Sequence, residues 1–315
     1  LKGYAGTGKT SVISSIVRNL RSVDLKSVLM APTGRAAKVM AVYAKRPAFT
    51  IHKRIYFASK NPQGGMTFVL QKNKYANTIF IVDEASMIPE GDPEARIFEK
   101  RSLLNDLISY VYSGINCKLI LVGDTAQLPP VKSERSPALD EQKLEVTFDL
   151  NLDTIELDEV MRQHSESGIL VNATKLRQLL SLEALNQYRF NLDFPDVERL
   201  TDGYDIQDAI FDAYSGKLEN TVFIVRSNKR ANQYNQQIRL SILGYDNEIS
   251  TGDFIMVVKN NYYWLEDSTH VGFIANGDIG EILEVFKFTD LYGFRFAEIK
   301  LRLVDYPNQP PFETV

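Results

Sequence analysis

The chain has 315 residues, of which 44% are hydrophobic and 24% charged, with a formal net charge of −4. That length supports about two domains with cores of their own, and no apolar run approaches the ~20 residues of a membrane span. The mild acidity does not advertise nucleic-acid binding, yet a local basic groove can coexist with an acidic exterior, so charge leaves the partner open.

No signal-peptide pattern opens the chain. It begins instead with Gly3-Tyr4-Ala5-Gly6-Thr7-Gly8-Lys9-Thr10, a phosphate-binding loop pattern with Gly at the first and sixth positions followed by Lys and Thr. Gly3, Ala5, Gly6, Thr7 and Gly8 are small enough for consecutive backbone N–H groups to turn inward onto phosphate oxygens. A helix starting near Thr10 adds the positive end of its dipole. Lys9 is expected to reach the β- and γ-phosphates, and the Thr10 hydroxyl to hold Mg²⁺. Val12, Ile13, Ile16, Val17 and Leu20 recur at helical spacing and give that helix one apolar stripe. The bland alternative is a glycine-rich turn before an ordinary helix. The full eight-residue match favours binding of a nucleoside triphosphate.

Ser27 to Ala31 reads as a buried strand ending at Pro32-Thr33-Gly34, followed by a helix carrying Ala36, Ala37, Val39 and Met40. An excursion from the main sheet spans about residues 53–77. Its polar, glycine-bearing part starts at 59, and Met66 to Leu70 is expected to form a short strand, one arm of a hairpin. Thr78 to Val82 is a third apolar strand, ending directly at Asp83-Glu84. Leu103 to Val111 is helical. Cys117, the single cysteine, stands at the start of an apolar run in which Lys118 to Val122 is a fourth strand, ending at Gly123-Asp124. One cysteine cannot form an internal disulfide, so a buried structural thiol and a reducing, cytoplasmic setting are expected.

Strand–helix alternation with polar residues at strand carboxyl ends predicts an open parallel α/β sheet with its ligands at that edge. The first domain is expected over 1–150. A second strand-to-helix unit, Thr221 to Val225 leading through Arg226-Ser227-Asn228 into a helix, predicts a second, incomplete α/β domain over 151–250. From 251 to 315 the pattern changes to strands at Phe254–Val258, Ile279–Val285 and Phe294–Leu303, with a tight turn at Asn276-Gly277, which reads as a small β-barrel.

Asp83 at the end of its buried strand is positioned to reach Mg²⁺ and its water shell, and Glu84 to polarise an attacking water as general base. A surface Asp-Glu pair in a turn is the alternative. Gln127, just past the next strand end, is a neutral two-way hydrogen-bonder able to sense a γ-phosphate or its attacking water. Read blandly, it is a solvent-facing amide in a proline-stopped loop.

Taken together, these segments resemble superfamily 1 DNA helicases of the RecD/Dda-like branch, P-loop NTPases that move 5′ to 3′ on single-stranded DNA. The resemblance rests on residues 3–10, Ala-Pro-Thr-Gly-Arg-Ala-Ala at 31–37, Thr-Ile-His at 50–52 and Val-Asp-Glu-Ala-Ser-Met at 82–87. It continues through Gly-Asp-Thr-Ala-Gln-Leu-Pro-Pro-Val at 123–131, Leu-Asp-Glu-Val-Met-Arg-Gln at 157–163, Gly-Asp-Phe-Ile-Met-Val at 252–257 and Asn-Gly-Asp-Ile-Gly at 276–280. The resemblance implies two RecA-like domains and an SH3-like barrel, with ATP and Mg²⁺ as ligands and single-stranded DNA or a tailed duplex as substrate. It implies that Gln127 couples nucleotide state to the DNA groove and that Arg162 reaches the γ-phosphate from the second domain. A salt-bridged surface arginine beside Asp158 or Glu159 is the alternative for Arg162. It also places Pro32, Thr33, Thr50 and His52 on the strand-binding face of the first domain, with Ser227 and Asn228 doing similar work on the second. His52 could equally be structural. Within this family, the excursion falls where a small strand-separating subdomain sits.

Two departures bear on activity. The family's adenine-contacting glutamine lies upstream of the phosphate loop, before the first residue here. Its His-Lys-any-Gln-Gly and Thr-Arg segments do not occur in this chain. The expectation is therefore a fragment trimmed at both ends that hydrolyses ATP weakly or not at all. A clamp that remodels DNA without unwinding is the competing reading. A small-molecule kinase built on the same loop leaves residues 121–131 without a role.

Overall fold

The computed structural model describes residues 1–60, 66–91, 102–130, 135–159, 167–182, 184–216, 221–258, 276–304 and 309–315, together with the single residues 133, 261, 274 and 306. The chain forms two compact units, residues 1–163 with 256–278, and residues 164–255 with 279–315.

The first unit is built on a parallel sheet. β2 (Lys26–Ala31) pairs in parallel with β3 (Ala48–Thr50) on one side and with β6 (Thr78–Val82) on the other. β6 pairs in parallel with β7 (Lys118–Leu121). β1 (Lys2–Gly3) pairs in parallel with β8 (Glu156–Leu157) and joins the rest through a parallel bridge from Lys2 to Gly123, just past β7. Reading across, the order is β8-β1-β7-β6-β2-β3. The strand that feeds the phosphate loop and the strand that ends at Asp83 are thus separated by the one that ends at Gly123.

Period-two alternation sorts this sheet's side chains onto two buried faces. Leu29, Ile81 and Val122 join Ile13 and Val17 of α1 (Lys9–Asn19) and Met40 and Ala44 of α2 (Gly34–Ala44) in one cluster. Val28, Met30, Phe80 and Val82 face the other way, against α3 (Ile51–Ile55) and α4 (Leu103–Tyr112). Each such side chain taken fully out of water contributes about 1.5–3 kcal/mol, so the two faces together fix the register. Phe80 sits edge-on between Tyr75 and Tyr110, with centroids 5.4 and 5.9 Å away.

The expected excursion is an antiparallel hairpin, β4 (Tyr56–Lys60) with β5 (Met66–Leu70), outside the main sheet. Buried Asn73 brings the chain back, donating from Nδ2 to the Tyr110 and Val111 carbonyls that end α4. Cys117 is a free, buried thiol, as expected. α5 (Glu141–Phe148) is capped by Asp140, whose side chain accepts from the Lys143 N–H.

The second unit holds α6 (Gly168–Ser181), α7 (Gly203–Tyr214) and α8 (Asn228–Ser241). Each begins where a side chain accepts from an otherwise unpaired N–H of the first turn: Ser167 from Leu170, Asp202 from Tyr204, and Ser227 from Arg230. The same unit carries β10 (Ile279–Leu291) and β11 (Phe294–Leu303), central in a four-stranded sheet ordered β12-β11-β10-β9, with β9 at Phe254–Met256 and β12 at Phe312–Thr314. β11 is antiparallel to both neighbours. At the foot of β9, Arg239 from α8 makes a two-pronged ion pair with Asp253, with both N···O distances at 2.8 Å.

One expected strand does not form. Thr221 to Val225 has strand composition, but it pairs with no other described segment, and Val222 and Ile224 are exposed. A strand is defined by its ladder of hydrogen bonds to a neighbour, and β-branched composition alone cannot supply one. β10 also runs six residues beyond the expected Val285, because irregularities between Ile282 and Glu284 and between Val285 and Lys287 break the alternation that marked its limit.

Candidate functional site

The site lies at the carboxyl edge of the parallel sheet in the first unit. After β1 the chain closes a tight loop in which the Thr7 hydroxyl donates to the Tyr4 carbonyl at 2.8 Å. Gly3 has no room for a side chain, since an added Cβ would lie 2.7 Å from Thr7 Oγ1 and 3.0 Å from the Leu157 carbonyl oxygen. Gly8 caps α1 with φ 90°, a left-handed conformation that costs glycine nothing. The Lys9 ammonium donates to the carbonyls of Gly3 (2.6 Å) and Tyr4 (2.9 Å), so its charge is held on the loop's own backbone. Thr10 is exposed in the first turn of α1. Ala5 and Gly6 complete the loop, with Gly6 at φ 85°.

β6 delivers the carboxylates. Asp83 Oδ1 accepts from the Glu84 N–H at 2.9 Å, and Oδ2 accepts from the Tyr43 hydroxyl at 2.5 Å. Glu84 itself is left-handed, with φ 53°. That twist lets two adjacent residues leave the strand without pointing to opposite faces, as they would if β6 ran on. Burial, and then the charge of Asp83, push the Glu84 carboxyl above the usual range. A hydrogen bond with Gln127 and the charge of Lys9 pull it back. Burial also raises the Tyr43 phenol, reinforced by its bond to Asp83, so it remains a donor.

The loop after β7 supplies the third side. Asp124 is buried, its Oδ1 accepts from the Ala126 N–H at 2.8 Å, and its carbonyl accepts from the Gln127 N–H at 3.3 Å. Gln127 Oε1 accepts from the hydroxyl of buried Ser86 at 3.1 Å. Lys9, Asp83, Glu84 and Gln127, read from separate stretches of sequence, therefore meet through Glu84. Tyr43, Ser86 and Asp124 were assigned no role from sequence. Asp124 and Ser86 each stood inside a quoted motif, whereas Tyr43 carries no local signal because its contact reaches across forty residues.

The donors fit a hard divalent cation. A threonine hydroxyl and a carboxylate are oxygen ligands of the kind Mg²⁺ takes, and each Asp83 oxygen makes only one hydrogen bond among those described. Among the described residues no cluster of three or more His, Cys, Asp or Glu forms a protein-only metal cage. Mg²⁺ here would draw the rest of its shell from phosphate and water.

The expected DNA contacts of this unit lie at or just past the ends of β2 and β3. The Thr33 hydroxyl caps α2 by accepting from the Ala36 N–H, and the Thr50 hydroxyl caps α3 by accepting from the Lys53 N–H, both at 3.2 Å. Thr50 is buried, and Pro32 is partly exposed. His52 stacks obliquely on Tyr56 at 5.7 Å, and burial lowers its pKa. Nearby, the Arg54 guanidinium lies over the rings of Phe49 and Tyr75. In the second unit Ser227 is the cap of α8 and Asn228 its first residue. Arg162 lies outside the described residues. No helix among the described residues is long and apolar enough to cross a membrane.

Residues 1–133 match the family model described as an AAA domain. The chain is 35% identical over 131 residues to the ATP-dependent RecD2 DNA helicase of Deinococcus radiodurans, covering 42% of this chain and 16% of that protein. It is 30% identical over 145 residues to the ATP-dependent DNA helicase PIF6 of Trypanosoma brucei brucei, covering 43% and 17%. It thus spans about a sixth of the length of these curated relatives. Among solved structures, a Pif1 helicase at forked double-stranded DNA aligns with 99% of this chain and 70% of its own, at 16% identity and TM-score 0.47. The chain resembles the superfamily 1 helicases of the RecD and Pif1 kind.

Proposed function

We propose that this chain is the motor part of a RecD/Pif1-like superfamily 1 helicase, coupling ATP hydrolysis to 5′→3′ movement on single-stranded DNA and to duplex unwinding. The observation that carries the proposal is the contact of Gln127 with both Ser86 and Glu84, beside a phosphate loop closed on Lys9. A kinase needs the loop and the carboxylates, but it has no use for an exposed-loop amide attached to the general base.

In this reading Lys9 exchanges its carbonyl partners for β- and γ-phosphate oxygens. Thr10 and Asp83 hold Mg²⁺, which when bound neutralises charge on the phosphates. Glu84 orients and deprotonates the attacking water, a task suited by a carboxyl whose pKa burial has raised toward neutrality. Arg162 is assigned to the γ-phosphate. Pro32, Thr33, Thr50 and His52, with Ser227 and Asn228, are assigned to the strand, where hydroxyls, amides and backbone groups grip phosphate without reading sequence. Residues 1–150 and 151–250 are read as RecA-like domains, and the sheet of 251–315 as the SH3-like element.

Strand displacement tests the proposal. With ATP and Mg²⁺ the whole protein should open a 5′-tailed duplex and leave a blunt or 3′-tailed duplex closed. ATP turnover stimulated by single-stranded DNA with no displacement of either tailed duplex favours the clamp over the motor. Turnover indifferent to DNA removes both.

A further inference from the structure

The position of Tyr43 is not explained by packing alone. It lies near the end of α2, and its ring packs at the edge of the α1–α2 cluster. Its backbone carbonyl accepts from the Ser14 hydroxyl of α1 at 3.1 Å, and its own hydroxyl donates to Asp83 Oδ2 at 2.5 Å. One residue thus connects the helix that follows the phosphate loop, which bears Lys9 and Thr10, with the carboxylate at the end of β6.

The consequence lies in the carboxylate's one free torsion. The terminal sp³–sp² rotation of aspartate is broad and roughly two-fold, so packing does not fix the plane of the carboxylate. Two hydrogen bonds to different oxygens fix it, Glu84 N–H to Oδ1 and Tyr43 hydroxyl to Oδ2. Each oxygen keeps a lone pair that these two bonds do not use. Remove the phenol oxygen and only the Glu84 N–H remains, about which the carboxylate can swing. Outer partners of this kind orient a ligand without touching the metal, and their loss typically costs 10–100-fold in metal affinity or activity.

We infer that Tyr43, whose backbone is tied to α1 through Ser14, is a positioning residue for the metal site: its hydroxyl sets the plane in which Asp83 meets the Mg²⁺ of a bound nucleoside triphosphate. The inference rests on the assignment of Asp83 to the metal made above, and it adds a residue to which that assignment gives no part. Tyr43→Phe keeps the ring, its packing and the Ser14 contact, and removes only the oxygen.

The test is equilibrium binding of a fluorescent, non-hydrolysable ATP analogue, measured with Mg²⁺ and again in chelator, so that no turnover is required. In the unsubstituted chain Mg²⁺ should tighten binding. In Tyr43→Phe that Mg²⁺-dependent increment should fall by about tenfold or more, while affinity in chelator stays within about twofold. Asp83→Asn should also lose the increment, and Tyr43→Phe should remain folded at the assay temperature, its melting temperature lowered by no more than the loss of one hydrogen bond to a charged group. An undiminished increment in Tyr43→Phe overturns the role of Tyr43 and leaves the assignment of Asp83 standing. An equal loss with and without Mg²⁺ also overturns it, making Tyr43 a packing residue. An unsubstituted chain whose analogue binding ignores Mg²⁺, or whose increment survives Asp83→Asn, overturns the metal assignment and the role of Tyr43 with it.

Discussion

Gln127→Ala separates the chemistry of the site from its control. The substitution removes an acceptor from the hydroxyl of buried Ser86 and a hydrogen-bond partner from Glu84, and it touches neither Lys9 nor the loop backbone. A neutral hydrogen bond contributes about 1 kcal/mol and one to a charged group about 1.5–3 kcal/mol, so the two contacts together set an upper bound near 4 kcal/mol. Gln127 is exposed, and water can replace much of what it gives Glu84. We therefore expect a loss of about 1.4 kcal/mol, or tenfold, in the rate of hydrolysis with single-stranded DNA present. Affinity for the nucleotide should change by less than about threefold, because the groups that grip phosphate are untouched. The assay is single-turnover hydrolysis with protein in excess, with and without a homopolymeric strand, beside equilibrium nucleotide binding. Single turnover is chosen because it reads the chemical step apart from product release. A double-mutant cycle with Ser86→Ala should show coupling, since the two side chains share one bond. If Gln127→Ala lowers the rate equally with and without DNA, or weakens nucleotide binding tenfold, Gln127 belongs to the pocket and has no part in coupling.

Glu84→Gln should raise the melting temperature of the nucleotide-free chain at neutral pH. The folded carboxyl has a raised pKa, from burial first and Asp83 second, so the folded state holds its proton more tightly than the unfolded one. Stability is then lost as pH rises through the interval between the two values, and the advantage of the glutamine should vanish below the ordinary glutamate range. A glutamine variant that melts lower at neutral pH would reverse the sign. Asp253→Ala strands Arg239, whose side chain is 15% exposed, and should destabilise the second unit by about 3–5 kcal/mol, read from amide exchange in α8 during urea titration. Gly3→Ala must push Thr7 Oγ1 or the Leu157 backbone away from 2.7 and 3.0 Å contacts. Overpacking of that size costs about 1–3 kcal/mol and should appear as weaker nucleotide binding as well as lower stability.

What could be read in advance was local. β6 and β11 were found to the residue, β6 because its apolar run ends at a charged residue and β11 because the alternation from Ala297 to Leu303 is broken by a second apolar residue, Val304. The Asp83-Glu84 pair declared itself for the same reason as β6. α2 was recognised as a helix, yet its buried stripe is Ala37, Met40 and Ala44, while Val39 stands out in solvent. A valine at that position carries no sign of which face it takes. The unread part depends on partners distant in sequence. Tyr43 looks like one more residue in an Ala-rich helix until β6 comes beside it. Thr33, Thr50 and Ser227 were read for what a hydroxyl offers a phosphate, and each is also a helix cap. The residues themselves could have announced that second duty, since each stands just before a helix. Thr221 to Val225 was overread, because composition reports what a segment tolerates and a strand requires a neighbour.

The strand order explains why the loop after β7, more than any other, suits the coupling of nucleotide to DNA. With β7 between β1 and β6, whatever follows Gly123 emerges between the phosphate loop and the carboxylates. Its base cannot yield: Asp124 is buried and spends its carboxylate and its carbonyl on the loop's own N–H groups. Its far side is open to solvent at Leu128, which is 89% exposed and leads into two prolines that offer no N–H to tie them back. Gln127 stands at the junction of the pinned half and the open half. On the proposed reading, a strand pressing on Leu128 to Pro130 acts through Gln127, the residue next to Leu128 in the chain. That side chain already touches the base that would activate the water.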